Sequence, residues 1–391
     1  MLSNLLKNVY FFALFLMIGF SSFGCMSDIT GSEPNVDLND EEKAKMIQQL
    51  MEEEIKDFPE LPGSLLTIRA GNFLWSGAAG KFGEGNRKLV PTDFFRSASI
   101  TKTFTAAAIL LLMEQGKFTL DTPIDKVLKP ATVQILKDGG YKPNIILVRH
   151  LLEHTAGMYD YTQSAKFNKI IFNQPTYRWT REEQLKLAMT EGKVLGPPGS
   201  LYEYGDTQYI LLGEILELQT NMDLAKALRT VLRFDALGLK DSWMETLENE
   251  PSGGFARLSH PMYGTVDTRN WDPSWDLFGA GGLVSSTQDL VKFMDALFSG
   301  KIFKNKSTLD IMINIPQVSI GGFGGLDGGM GINRTTIAGN VCYAGYGFFG
   351  TEMIRCPSID VTLTRTTNQS ENSSKYDSDV LNAKLLKLFI K

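Results

Sequence analysis

What most constrains this chain is where its two kinds of periodicity fall. Alternating, extended segments occupy residues 64–69 and 72–75, around Ala70-Gly71, and return only near the other end, around 341–346 and 361–366. Between Thr101 and about Trp271 nearly all periodicity is helical, and one more helix is expected over 287–298. The sheet must therefore be completed by segments distant in sequence, with the middle of the chain as a helical insertion. The expected class is α/β in layers. An antiparallel sheet of about five strands should be flanked by N- and C-terminal helices, beside a mostly helical lobe over about residues 121–271. The first helix should start at Asn39 or Asp40 and end before Pro59, with Ile47, Leu50, Met51 and Ile55 on its apolar face. With 391 residues, 43% of them hydrophobic and 21% charged, the chain has ample core material and is neither disordered nor collagen-like.

Charge removes several functions. Lys and Arg total 39 against 44 Asp and Glu, so no positive field is available for nucleic acid. Three cysteines cannot build a disulfide framework, and His150, His154 and His260 offer little to a transition metal, so neither metal nor cofactor is expected. The start of the chain differs from the rest: Lys7, an apolar run over 9–20, then Ser21-Ser22-Phe23-Gly24-Cys25. That run is shorter than the ~20 residues of a spanning helix, and its order is that of an export signal. The box before Cys25 resembles a bacterial lipoprotein cleavage site. The expectation is a signal peptide over 1–24, a lipidated Cys25, a linker over 25–38 and one folded domain over 39–391 on the outside of a bacterial membrane. A plain secretory signal or an uncleaved anchor remain alternatives.

The chemistry concentrates in Phe95-Arg96-Ser97-Ala98-Ser99-Ile100-Thr101-Lys102, which runs into an apolar helix that stops at Gly116. If Ser99 opens that helix, Lys102 lies three residues on, on the same face, within reach of the hydroxyl. Serine is a weak nucleophile until a neighbour takes its proton, and a lysine does so only when its surroundings favour the neutral amine.

Four ordered segments carry a resemblance. They are Ser99-Ile100-Thr101-Lys102 with Gln115-Gly116-Lys117-Phe118-Thr119-Leu120-Asp121, then Leu151-Leu152-Glu153-His154-Thr155-Ala156-Gly157, then Pro198-Gly199-Ser200-Leu201-Tyr202-Glu203-Tyr204-Gly205-Asp206, and last Gly279-Ala280-Gly281-Gly282-Leu283. Together they are similar to the serine β-lactamase and D-Ala-D-Ala peptidase-like hydrolases, nearest the class C and esterase branch. The resemblance implies the β-lactamase/transpeptidase-like fold, Ser99 as acylated nucleophile, Lys102 as its base and Tyr204 as the phenol that relays a proton to the leaving group. It also implies an oxyanion site between the Ser99 N–H and an N–H at Gly347 or Phe348. His150 and His154 become structural residues.

Two positions depart from the family pattern. Gly345 stands where the family has a cation that receives a substrate carboxylate, and Asp206 stands where asparagine is commoner. Both changes should raise the pKa of Lys102 and Tyr204. Arg334, Arg355 and Arg365 are candidates to restore the cation. Cys342 and Cys356 flank this stretch, and their pairing is open. The expected function is hydrolysis of a small ester, or of an amide or peptidoglycan-type peptide, with weak or no β-lactamase activity. The alternative is an impaired pseudo-enzyme that binds or scaffolds.

Overall fold

The computed structural model describes residues 38–390 except 84, 86, 323–324 and 371–375. The expected signal segment, Cys25 and all but the last residue of the linker lie outside the described residues.

Helix α1 (Asp40–Asp57) starts at a reciprocal cap: Asn39 accepts from the Glu41 and Glu42 N–H groups, and the Glu42 carboxylate accepts from the Asn39 N–H. The hairpin β1 (Gly63–Ala70) and β2 (Phe73–Gly80) follows and turns at left-handed Gly71. In β1, Leu66 and Ile68 face one core and Leu65 the other, so both sides of this strand are buried. Next come β3 (Phe95–Arg96), a 3₁₀ turn over Ala98–Ile100 and α2 (Thr101–Glu114). The lobe is built from α3 (Pro130–Asp138), α4 (Val148–Leu152), α5 (Ala165–Asn173), α6 (Arg181–Glu191), α7 (Asp206–Thr220) and α8 (Leu224–Val231). It is followed by β4 (Trp243–Met244), a small hairpin β5 (Met262–Tyr263) and β6 (Val266–Asp267), β7 (Leu283–Ser285) and α9 (Thr287–Phe298). Strands β8 (Asp327–Gly328), β9 (Asn333–Ile337), β10 (Asn340–Gly347), β11 (Thr351–Cys356) and β12 (Val361–Thr366) lead to α10 (Ser378–Lys387).

The main sheet has the order β2-β1-β12-β11-β10-β9-β8, antiparallel throughout. It has seven strands where the sequence predicts about five. Strand β11 carries Glu352 and Arg355, charges that break an apolar alternation, yet Glu352 lies opposite Arg365 of β12 and is buried there. Cross-strand neutralisation lets a charged segment enter a core strand. Helices α1 and α10 pack on one face; α9 and α2 lie under the other, where Phe104 stacks on Phe293. Cys342 and Cys356 sit opposite each other across β10 and β11 and form a disulfide.

A three-stranded sheet, β3-β7-β4, ties the two ends of the lobe together. Ser97 donates to the Leu283 carbonyl through both its N–H and its hydroxyl, and Thr101 Oγ1 accepts from the Leu283 N–H. These bonds set the segment 279–283 against the start of α2. They place the site.

Candidate active site

Ser99 does not open α2; it lies in the 3₁₀ turn just before it. Ala98, immediately upstream, takes a left-handed φ of 47°, a conformation disfavoured for a residue with a Cβ. The turn leaves Ser99 partly exposed at the cleft while its neighbours Ala98 and Ile100 are buried. Lys102, one turn on, points back as the spacing requires, and its Nζ donates to Ser99 Oγ at 2.9 Å.

Lys102 is 2% exposed and gathers oxygens from three directions. Its Nζ donates to the Ala280 carbonyl at 2.9 Å and lies 2.6 Å from Asp206 Oδ1. The Tyr204 hydroxyl accepts from Lys102 and shares a hydrogen bond with the Ser99 hydroxyl. Burial pulls the lysine pKa down, but Asp206, then Tyr204 and Asp276, outweigh it and hold Lys102 above the ordinary lysine value. Burial raises Tyr204 as well, with Lys102 opposing it and Asp206 adding to it. Both directions agree with the expectation drawn from Asp206.

The Tyr204-Gly205-Asp206 turn is held by two residues that sequence spacing does not single out for it. His154 Nδ1 accepts from the Gly205 N–H at 3.2 Å, and burial followed by Lys102 keeps this imidazole well below its usual pKa. Its ring packs on Tyr204 and Tyr209. Asp160 Oδ1 accepts from the N–H groups of Asp206 and Thr207 and so caps α7 from outside the helix. His150, by contrast, lies away from the cleft wall, and its Nδ1 accepts from the Leu147 N–H.

The cleft is lined by Ser99, Lys102, His154, Tyr202 and Tyr204 on one side and by Gly329, Gly331, Asn333, Gly345 and Tyr346 on the other. Gly345 packs closely: a Cβ there would stand 3.0 Å from Thr103 Oγ1, which itself donates to the Gly331 carbonyl. Gly347 packs closer still, since a Cβ would meet the Ser97 carbonyl oxygen at 2.3 Å. Only glycine lets the end of β10 run along the nucleophile turn. Phe348 follows it, its ring against Tyr263 and Trp275. The three arginines do not restore the missing cation. Arg334 pairs with Asp327, Arg355 with Asp360, and Arg365 with Glu54 on the far side of the sheet.

The Beta-lactamase family model matches residues 48–386. This chain belongs to the β-lactamase family. It is an enzyme of the serine-hydrolase type on the β-lactamase/transpeptidase-like fold. Penicillin-binding protein 4* of Bacillus subtilis (strain 168) is 26% identical in an alignment 369 positions long that covers 87% of this chain and 75% of that protein. The D-alanyl-D-alanine-carboxypeptidase/endopeptidase AmpH of Escherichia coli (strain K12) is 23% identical over 75% of this chain and 72% of its own length. A D-stereospecific amidohydrolase from Streptomyces sp. superposes with a TM-score of 0.72 at 26% identity, covering 87% of this chain and 97% of that one. Across the curated relatives the chain spans from 49% to 75% of their length.

Proposed function

We propose that the protein hydrolyses uncharged carboxylic esters and amides through an acyl-Ser99 intermediate. The observation that carries this reading is the charge of the cleft. Ser99, Lys102 and Tyr204 converge there, and among the described residues lining it Lys102 is the one cation, already neutralised by Asp206. Among the described residues that line the cleft, no unpaired cation remains to receive a substrate carboxylate.

Lys102 accepts the Ser99 proton once it has passed one of its own to Asp206, and Ser99 Oγ bonds to the substrate carbonyl carbon. The Tyr204 hydroxyl protonates the leaving alkoxide or amine and is reprotonated from Lys102, which recovers its own proton from Asp206. Water then repeats the sequence in place of Ser99 and releases the acid. The developing oxyanion is received by the N–H groups of Ser99 and of Phe348, beyond Gly347. The intact trio argues for turnover rather than for a pseudo-enzyme.

Ser99→Ala should abolish the burst with p-nitrophenyl acetate. In the parent enzyme, kcat/KM for a neutral ester or amide should exceed that for a D-Ala-D-Ala peptide or penicillin by about 10- to 150-fold, the worth of one charge-assisted contact of about 1.5–3 kcal/mol. Equal efficiency on carboxylate-bearing substrates would overturn the substrate class. From the small-residue box before Cys25 we further propose that the enzyme is tethered through Cys25 to the outside of a bacterial membrane. Cys25→Ser should release it from the membrane fraction or block its processing, and unchanged fractionation with unchanged N-terminal mass would remove the anchor.

A further inference from the structure

Asp276 ends the 3₁₀ turn Pro273–Asp276, and nothing in its sequence setting marks it. It is 6% exposed, and its side chain hydrogen-bonds Asp206, the carboxylate that holds Lys102. The chain makes room for it. A Cβ on Gly281 would lie 2.1 Å from Asp276 Oδ2 and 2.2 Å from its Cγ, and Gly281 has no left-handed φ that would call for glycine. Both the carboxyl and the carbonyl oxygen of Asp276, the latter 2.3 Å from such a Cβ, require that glycine. Gly281 directly follows Ala280, whose carbonyl accepts from Lys102.

We propose that Asp276 is a positioning residue for hydrolysis: seated against Gly281, its carboxyl O–H hydrogen-bonds Asp206 as a donor, and so keeps Lys102 able to release its own proton. The inference rests on the acyl-Ser99 reading above.

The groups that face Asp276 leave it little choice. Asp206, Asp160 and Lys102 act on it, and the Tyr161 phenol lies within the same field. Across a small cavity lie Arg96 and Glu245, which satisfy each other at 2.8 Å. Three buried carboxyls thus surround a single ammonium, and they cannot all ionise. Asp160 accepts from backbone and hydroxyl donors, and Asp206 has Lys102; among the described residues Asp276 has the Asp206 carboxylate as its side-chain partner. Burial, then Asp206, hold its pKa well above the ordinary carboxylate range.

In the resting state the Asp276 O–H donates to Asp206, whose other contact is the Lys102 ammonium. During acylation one proton moves from Lys102 Nζ to Asp206 Oδ1, and the freed lone pair on Nζ takes the Ser99 proton as Oγ bonds to the carbonyl carbon. The Asp276 proton does not leave. Donated to Asp206 as a hydrogen bond, it draws off part of that carboxylate's charge and adds no second one, which loosens the grip on the Lys102 ammonium.

Asp276→Asn supplies a permanently neutral donor and should keep kcat within about threefold at neutral pH while moving the alkaline limb of the kcat profile upward. Asp276→Leu removes the donor and should lower kcat with KM little changed, about tenfold for each pH unit by which the acid limb moves up. Gly281→Ala, which crowds both the carboxyl and the carbonyl oxygen of Asp276 without deleting either, should move the acid limb as Asp276→Leu does, and thermal melts check that each variant folds. Parental profiles in Asp276→Leu and Gly281→Ala would overturn the proposal, as would an Asp276→Asn enzyme as impaired as Asp276→Leu. Fluorophosphonate labelling of the parent separates the two readings. Failure to label Ser99 sinks both, whereas labelled Ser99 with pH profiles indifferent to Asp276 sinks only this one.

Discussion

Arg365 and Lys102 are both cations buried among carboxylates, on opposite faces of the main sheet. Arg365 is 1% exposed, 2.6 Å from Glu54, with Tyr376 beside it and Glu352 at 4.0 Å. Lys102 is 2% exposed, 2.6 Å from Asp206, with Asp276 and Asp160 behind it. The charge arithmetic is similar, and the chemistry diverges because a guanidinium keeps its protons and an ammonium can give one up. The Arg365 cluster locks α1 and the segment before α10 onto β12. The Lys102 cluster adjoins a partly exposed serine and a strained turn, so its proton has somewhere to go. A buried ion pair becomes machinery when one partner can titrate and a nucleophile touches it.

The sharpest way to break this comparison is Lys102→Arg, which preserves the charge beside Asp206 but removes the transferable proton. Ester hydrolysis should fall by about 10²- to 10⁴-fold, with little loss in thermal stability. Retained turnover would show that Lys102 acts by charge alone. On the far face, Arg365→Met should leave the catalytic constants of the folded enzyme unchanged but lower stability by about 3–5 kcal/mol, because Glu54 and Glu352 stay buried without their cation. Pairing it with Glu54→Leu should recover much of that loss in a denaturant titration. A change in kcat for folded Arg365→Met would mean that the two clusters communicate.

A solitary carboxyl gives the smallest effect. Glu153, at the end of α4, has no ion pair among the described residues, and burial pushes its pKa up to about 7 against 4.5 for a free side chain. The folded protein therefore binds a proton that the unfolded chain releases between about pH 4.5 and 7, so stability falls as pH rises through that window. Asp160, pushed up to about 6 mainly by burial, acts in the same direction. Thermal melts should be higher at pH 5 than at pH 8, and Glu153→Gln should flatten the slope by about 2–3 kcal/mol. A parental slope in that variant would assign the pH dependence elsewhere.

Much of this was legible in the residues, and the limits have physical causes. Helical and extended periodicities are local, so α1, the β1–β2 hairpin, α9 and β12 could be read directly. The Ser99–Lys102 contact is local too, since three residues make one turn. Strands β9 and β11 escaped because their polar residues find partners in neighbouring strands, as Glu352 does opposite Arg365. Tyr204 and Asp206 could be named from a motif, but not their contact with Lys102, which depends on His154 and Asp160 holding the turn. Tertiary structure alone decided that Arg334, Arg355 and Arg365 pair with Asp327, Asp360 and Glu54 outside the cleft lining, and that Cys342 meets Cys356. It alone set Asp276 against Gly281, beneath the catalytic lysine. Sequence spacing determines which side chains share one turn or one strand face. Which charges face one another across a core depends on how distant segments pack, and that packing sets where a buried proton can reside.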